Sequence, residues 1–107
     1  MIKKLFSYQD NGIRYTYFRD CRMTLVYGEL MSEPDKVMFG TAFCIQGDEY
    51  NEAIGCKVAL KRYCKNLKLS RKIRMQLQDT LEVNLGNYMM KNFFKELLAI
   101  VRPGASE

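Results

Sequence analysis

Four short segments rich in apolar and aromatic residues occupy positions 1–46, separated by turn residues, and they predict an antiparallel sheet. They are residues 2–8, 13–19, 22–30 and 36–45, and in the second of them Ile13, Tyr15 and Tyr17 alternate with Arg14, Thr16 and Phe18. The first two are joined by Asn11-Gly12, a pair that tolerates the positive φ angles of a tight hairpin turn. The remaining connections are also short, so each strand is expected to pair with the next in a four-stranded meander.

From residue 48 the apolar spacing changes to three and four, which predicts a helical part over 48–102. Asp48 is the expected N-cap of a first helix from about Glu49 to Asn66. The stripe of this helix that should pack on the sheet is Ala53, Cys56, Leu60, Tyr63, Cys64 and Leu67. Ser70 is the expected cap of a second helix, and the sequence leaves open whether that helix breaks at Gly86. Together these patterns predict one α+β domain over 1–107, with two or three helices packed on the sheet.

The last helical segment, from Tyr88 to Val101, is apolar on more than one face. A helix of this kind is usually buried on two sides. One side should pack on the chain's own sheet. The other side is covered either by the first helix or by a second copy of the chain, and we expect a homo-oligomer through this C-terminal helix.

The absence of histidine and the spacing of the cysteines limit the catalytic and metal-binding chemistry that this chain can support. The 107 residues include no histidine, which excludes catalysis and metal binding by histidine and argues against an enzyme. The four cysteines form no C-x-x-C pair, so buried free thiols are expected rather than a metal site. We expect no cofactor and no metal, since no Walker loop or Rossmann fingerprint is present and the acidic residues are scattered. We expect no membrane partner, since no signal peptide or membrane-spanning run is visible.

Charge favours an anionic partner. The net charge is +5, and no acidic residue interrupts the basic run between Lys57 and Gln78. Arg71 and Arg74 fall in the first turn of the second helix, where free backbone N–H groups add to the positive field. This pattern predicts a site for phosphate or carboxylate, and a basic solvent-exposed face is the alternative.

A second group of polar residues lies on the first helix. Its members Asn51, Gly55, Arg62 and Asn66 fall within about 60° of one another on a helical wheel, opposite the core stripe. A helical glycine costs stability, and close approach of a flat ligand is one reason to keep it. The alternative is that Gly55 permits packing of the second helix and the polar residues are simply exposed. The predicted ligand-binding residues are Tyr50, Asn51, Gly55, Arg62, Lys65, Arg71 and Arg74.

Aromatic residues are frequent in the strand region. Such residues can stack on bases in proteins that bind single strands, but they more often form sheet core and cross-strand pairs. The residues concerned are Phe6, Tyr8, Tyr15, Tyr17, Phe18 and Tyr27. No RNP motif or helix-turn-helix spacing accompanies them.

From Gly40 to Arg62 the chain resembles a motif of small bacteriophage accessory proteins. The motif reads G-x-A-x-C, then D-x-F-N, then glycine, alanine and arginine at helical spacing, and the chain has Tyr50 in place of its phenylalanine and Lys61 in place of a glycine. The matching residues are Gly40, Ala42, Cys44, Asp48, Asn51, Gly55, Ala59 and Arg62.

This segment is similar to the Thoeris anti-defence sponge family. The resemblance implies an oligomeric α+β protein in the host cytoplasm that sequesters a cyclic nucleotide immune signal without cleaving it. It further implies that Tyr50 and Asn51 contact a base and Arg62 a phosphate. Direct inhibition of a host protein and binding of nucleic acid remain the alternative functions.

Overall fold

Four consecutive strands pair in chain order, and two helices follow them. The computed structural model describes residues 1–33, 35, 38–47 and 49–101. The strands and helices are β1 (Lys3–Asp10), β2 (Ile13–Asp20), β3 (Met23–Leu30), β4 (Met38–Ile45), α1 (Glu52–Asn66) and α2 (Arg71–Val101). The sheet order is β1-β2-β3-β4 with every neighbouring pair antiparallel. The predicted α+β class is confirmed.

Tight turns set the register of the sheet. Asn11 and Gly12 have φ angles of 51° and 77°, and Asp10 pairs directly with Ile13 across them. The hairpin predicted from Asn-Gly is therefore confirmed. The next hairpin turns at Cys21, whose φ of 54° is also positive. The short connection predicted between the third and fourth strands includes Pro34, which lies outside the described residues.

Helix α1 packs on β3 and β4 through its predicted apolar stripe. Cys56, Leu60, Tyr63 and Cys64 are buried in the core cluster, while Ala53 and Leu67 pack against it. Two glycines on neighbouring strands make room for the Tyr63 ring. A Cβ on Gly28 would lie 2.6 Å from the Tyr63 hydroxyl, and one on Gly40 would lie 3.1 Å from the ring.

The two ends of α1 are defined by local hydrogen bonds. The helix begins at Glu52 rather than Glu49, because Asn51 is the N-cap and its side chain accepts a hydrogen bond from the Ile54 N–H at 3.0 Å. The expected cap, Asp48, lies outside the described residues. At the other end Lys68 adopts a φ of 55°, and the Leu69 N–H donates to the Cys64 carbonyl at 3.0 Å, which is the Schellman pattern.

Most aromatic residues of the hairpins form the core. Tyr8, Tyr15 and Tyr17 are buried, and the Tyr8 and Tyr17 hydroxyls share a hydrogen bond of 2.9 Å. These rings therefore offer no surface for stacking on bases. Phe18 and Tyr27 lie on the opposite face of the sheet, where their rings stack on each other with centroids 5.5 Å apart.

Helix α2 is continuous through Gly86, which answers the question the sequence left open. It begins after Ser70, whose hydroxyl accepts a hydrogen bond from the Ile73 N–H at 3.4 Å. Its core face is Leu77, Leu81 and Leu85, and it packs on α1 and β1. The end predicted for the helical part, at residue 102 before Pro103, lies outside the described residues.

The expectation that the C-terminal segment packs on its own sheet is wrong. The large apolar side chains after Tyr88 are 41% to 79% exposed; they are Met89, Met90, Phe93, Phe94, Leu97, Leu98 and Ile100. The side of this segment that lies beside β1 is polar instead: Asn92, Lys95 and Glu96 line a pocket together with Lys3, Lys4 and Leu5 of that strand region. We call residues 89–100 the tail of α2.

Candidate functional site

A groove runs between α1 and α2. Its first compartment has a volume of about 230 Å³ and an apolar floor of Val58 and Leu81. Lys57 and Lys61 line it from α1, one helical turn apart. The polar residues that line it from α2 are Gln78 and Glu82.

A second compartment adjoins the first at the start of α2. It has a volume of about 270 Å³ and is lined by Arg71, Arg74, Met75 and Gln78. Gln78 lines both compartments, so they are neighbours on one surface, the first between the two helices and the second on α2. We call this the basic groove and define its polar lining as Lys57, Lys61, Arg71, Arg74 and Gln78, with Glu82 at one end.

The electrostatics of the basic groove favour an anion. The first turn of α2 contains no acidic residue, so the positive end of its dipole is not neutralised locally. Within the described part of the chain, the ion pairs involve Met1, Arg14 and Arg19, and none of the four groove cations takes part in one. The groove therefore contains four positive charges against the single carboxylate of Glu82.

Arg74 is the most enclosed cation of the basic groove. Its Nε atom is buried and has no hydrogen-bond partner among the described residues. The Arg74 charge acts on Cys64 of α1, lowering the pKa of a thiol that burial raises. A buried N–H without a partner costs free energy. Arg74 as a whole is half-buried and lines the second compartment, so a ligand there would meet the outer N–H groups of its guanidinium rather than the enclosed Nε.

The predicted ligand residue Lys65 extends the same surface. Lys57, Lys61 and Lys65 are spaced by four, so they form one row along α1. Lys65 is exposed in the last turn, where its charge also suits the negative end of the helix dipole. It does not line either compartment.

The predicted position of Gly55 is wrong. It does not lie opposite the core stripe but is buried against β3 and β4, with Thr24 and Gln46 occupying the space of any Cβ. Its carbonyl accepts a hydrogen bond from the Cys44 thiol at 3.3 Å. The close approach that this glycine permits is that of its own sheet, so no ligand can reach it.

Tyr50 and Asn51 connect α1 to the sheet. The Tyr50 hydroxyl hydrogen-bonds with that of Thr24 at 2.7 Å, and the Arg19 guanidinium lies 4.0 Å from the ring centroid. The Asn51 side chain caps α1, and its backbone N–H and carbonyl each hydrogen-bond with the Gln46 amide at 2.7 Å. Both side chains already have partners within the chain.

Arg62 also has an internal partner. Its Nη1 donates to the Phe43 carbonyl at 2.9 Å. Phe43 belongs to β4, an edge strand, and a backbone carbonyl on an edge otherwise needs water or another strand. The structure thus separates the predicted set. Arg71 and Arg74 lie together in the basic groove, whereas Tyr50, Asn51, Gly55 and Arg62 join α1 to the sheet.

The predicted set omitted three groove residues: Lys57, Lys61 and Gln78. The spacing of the lysines by four was a usable signal, because it places them in one row. Gln78 carried no such signal, since only the packing of α2 on α1 brings it to the groove.

The cysteines give no metal site in the described residues, where no group of three or more histidine, cysteine or acidic side chains is suitably placed. Cys44, Cys56 and Cys64 are buried free thiols, as predicted, and burial raises the pKa of Cys56 to about 12. Cys21 differs from that expectation because it is exposed in the second hairpin turn.

Comparisons of the chain with family models, with curated proteins and with solved structures give no match. No helix in the described part of the chain is long and apolar enough to cross a membrane.

Proposed function

We propose that this protein binds a phosphate-bearing small molecule, of the nucleotide class, in the basic groove and holds it without chemical change. The observation that carries the proposal is the grouping of four cations, Lys57, Lys61, Arg71 and Arg74, none of which has an ion-pair partner among the described residues. Guanidinium and ammonium groups are the side chains that bind phosphate best.

The shape of the groove supports a ligand with an apolar part as well as a charge. Val58 and Leu81 form the floor of the first compartment, while the cations stand at its side and at the start of α2. Small-molecule sites usually combine an apolar lining with a few polar groups that fix orientation. In this arrangement a base would lie on the floor, and Gln78, shared by both compartments, would hydrogen-bond to it.

Sequestration is the mode of action that the resemblance to anti-defence sponge proteins implies. The groove lining supports binding, because its cations neutralise phosphate charge. The ligand assignment differs from the one implied by the resemblance, since Arg62 and Asn51 already bond within the chain. We therefore assign phosphate to Arg71 and Arg74, with Lys57 and Lys61 completing the charge.

The first test is thermal stability against a panel of linear and cyclic nucleotides, cyclic ADP-ribose isomers and short oligonucleotides. A ligand that binds only the folded state raises the Tm by mass action. We expect one small nucleotide to do so and to be recovered intact. A panel without any shift contradicts the proposal, and recovery of a cleaved product contradicts sequestration.

Substitutions then locate the site. Arg74→Ala and Lys61→Ala should each weaken binding by calorimetry about tenfold or more, which is the usual effect of losing a charge-assisted hydrogen bond. Lys91→Ala is the matched control, because Lys91 is an exposed cation of the same helix outside the basic groove. Equal losses in all three variants would indicate a general charge effect rather than a site.

A further inference from the structure

The outer face of α2 has a second apolar stripe, opposite the one that packs on the domain. The inner stripe is Leu77, Leu81, Leu85 and Tyr88. The outer stripe follows a strict spacing of three and four from residue 83 onward, and its members are Val83, Gly86, Met90, Phe93, Leu97 and Ile100. All of these residues are exposed. We call them the outer seam.

Spacing of this kind is typical of a helix that pairs with another helix. Apolar residues that recur every 3.5 residues on average keep one face of a helix directed at a partner helix, as in a coiled coil. The inner stripe is already covered by α1 and β1, whereas nothing in the described part of the chain covers the outer seam. We propose that the outer seam pairs with the outer seam of a second copy of this chain, forming a homodimer.

Gly86 indicates how the seam is covered. A glycine weakens the interior of a helix, and a Cβ at this position would meet nothing within 4 Å in the chain. Its own domain therefore gives no reason for a residue without a side chain. A second helix backbone that approaches closely at a seam position does give one.

The exposed area is sufficient for a stable dimer. Seven large apolar side chains occupy the seam or flank it: Val83, Met89, Met90, Phe93, Phe94, Leu97 and Ile100. If covering each one removes about 100 Å² from water, half of what a large aromatic side chain buries, they offer roughly 700 Å² per copy. Standard interfaces bury about 800 Å² per partner. One seam meeting its own copy is also self-complementary, as a two-fold dimer requires.

Sedimentation analysis of the full chain tests this proposal, from low to high micromolar concentration. We expect the wild type to be a dimer and Leu97→Glu to weaken association roughly thirtyfold or more, as loss of a central interface side chain does. The matched control is Ile73→Glu, since Ile73 is an exposed apolar residue of the same helix that lies off the seam. It should remain dimeric.

Gly86→Ala distinguishes a close helix pair from loose apolar contact. Alanine favours the helix itself, so a seam without a close partner would tolerate the change with no loss of association. We expect association to weaken measurably instead, with helix content by circular dichroism unchanged or higher.

A wild type that stays monomeric at high micromolar concentration overturns the proposal, as does dimerisation that survives Leu97→Glu. A folded Leu97→Glu chain, judged by circular dichroism, is expected because Leu97 is exposed and outside the core cluster. Co-purification of a different protein on a monomeric wild type would assign the seam to another partner and would also overturn it. The proposal does not depend on the basic groove.

Discussion

Two glycines lie in the interiors of the two helices, and their surroundings are opposite. Gly55 of α1 is buried, with Thr24 and Gln46 in the place where a Cβ would stand. Gly86 of α2 is exposed and has open space around it. The same residue type thus permits a close approach of the chain's own sheet at Gly55, and the proposed dimer would use the open space at Gly86 for the approach of another chain.

The two helices also differ in how they contact the rest of the chain. Helix α1 is attached to the sheet along its whole length by an apolar stripe, a close backbone approach, an N-cap and an edge-strand hydrogen bond. The apolar contacts of helix α2 with the rest of the chain end at Tyr88, and the large apolar side chains of its tail are exposed. The proposed binding groove and the proposed association surface therefore lie on different parts of the molecule.

Alkaline pH should give the largest loss of folding stability, and this loss comes from the buried tyrosines of the sheet rather than from the tail of α2. Burial raises the pKa of Tyr15 to about 12 and also raises the pKa values of Tyr8 and Tyr17, while tyrosine in an unfolded chain ionises near 10. The stability from keeping these phenols neutral is complete below pH 10 and is lost as pH rises above it. Each buried tyrosine removes about 1.4 kcal/mol per pH unit.

The measurement is tyrosinate absorbance followed together with circular dichroism between pH 9 and 12. We expect the phenolates of the buried tyrosines to appear in one cooperative step with unfolding. Leu97→Glu should shift this step only through the loss of dimer, because the tail contains no tyrosine. Titration of these phenols near pH 10 in a folded chain would show that the core is open to solvent.

Gly55→Ala should give the next largest effect. The added methyl group overlaps the buried Thr24 hydroxyl and the Gln46 amide, so we expect a loss of about 1–3 kcal/mol in the free energy of unfolding. Urea denaturation measures it. Gly86→Ala is the matched control in a Leu97→Glu background, and there it should stabilise the chain by up to about 1 kcal/mol. Similar losses of stability in both variants would contradict the difference between a packed Gly55 and an open Gly86.

Asn51→Ala should give the smallest effect, a loss of about 1 kcal/mol, because it removes the cap of α1. The Gln46 bonds to the Asn51 backbone remain. Asn87→Ala is the control on α2, where an exposed helical asparagine has no capping role and alanine should be neutral or slightly stabilising. Nucleotide affinity should be unchanged in both variants. If Asn51→Ala instead lost nucleotide affinity without losing stability, the ligand would have to bind at Tyr50, Asn51 and Arg62, as the resemblance implies.

Much of the fold could be predicted from the sequence because local rules dominate it. The apolar segments of 1–46, the Asn11-Gly12 turn and the spacing of Cys56, Leu60 and Tyr63 each indicate an element directly. Helix starts were less certain. Asp48 and Asn51 are both good capping residues by type, and the Gln46 amide that holds the Asn51 backbone comes from the end of the strand region.

The candidate site was predicted only in part. The basic run was visible, and Arg71 and Arg74 do lie together. The position of Gly55 was predicted wrongly because the core face of a helix is located from its large apolar side chains. A helix backbone comes close to a sheet where such side chains are absent. Gly55 and Ala59, spaced by four and both buried, were the available signal for a tight helix–sheet contact.

The sequence by itself determined the strand order, the core stripe of α1 and the apolar character of the tail, because each depends on residues close together along the chain. Only the tertiary structure decided which cations share a groove and which polar residues are used up in joining α1 to the sheet. It also decided that the large apolar side chains of the tail remain exposed. Those outcomes depend on how far rigid elements extend and where they cross, and the spacing of residues within one element contains no information about either.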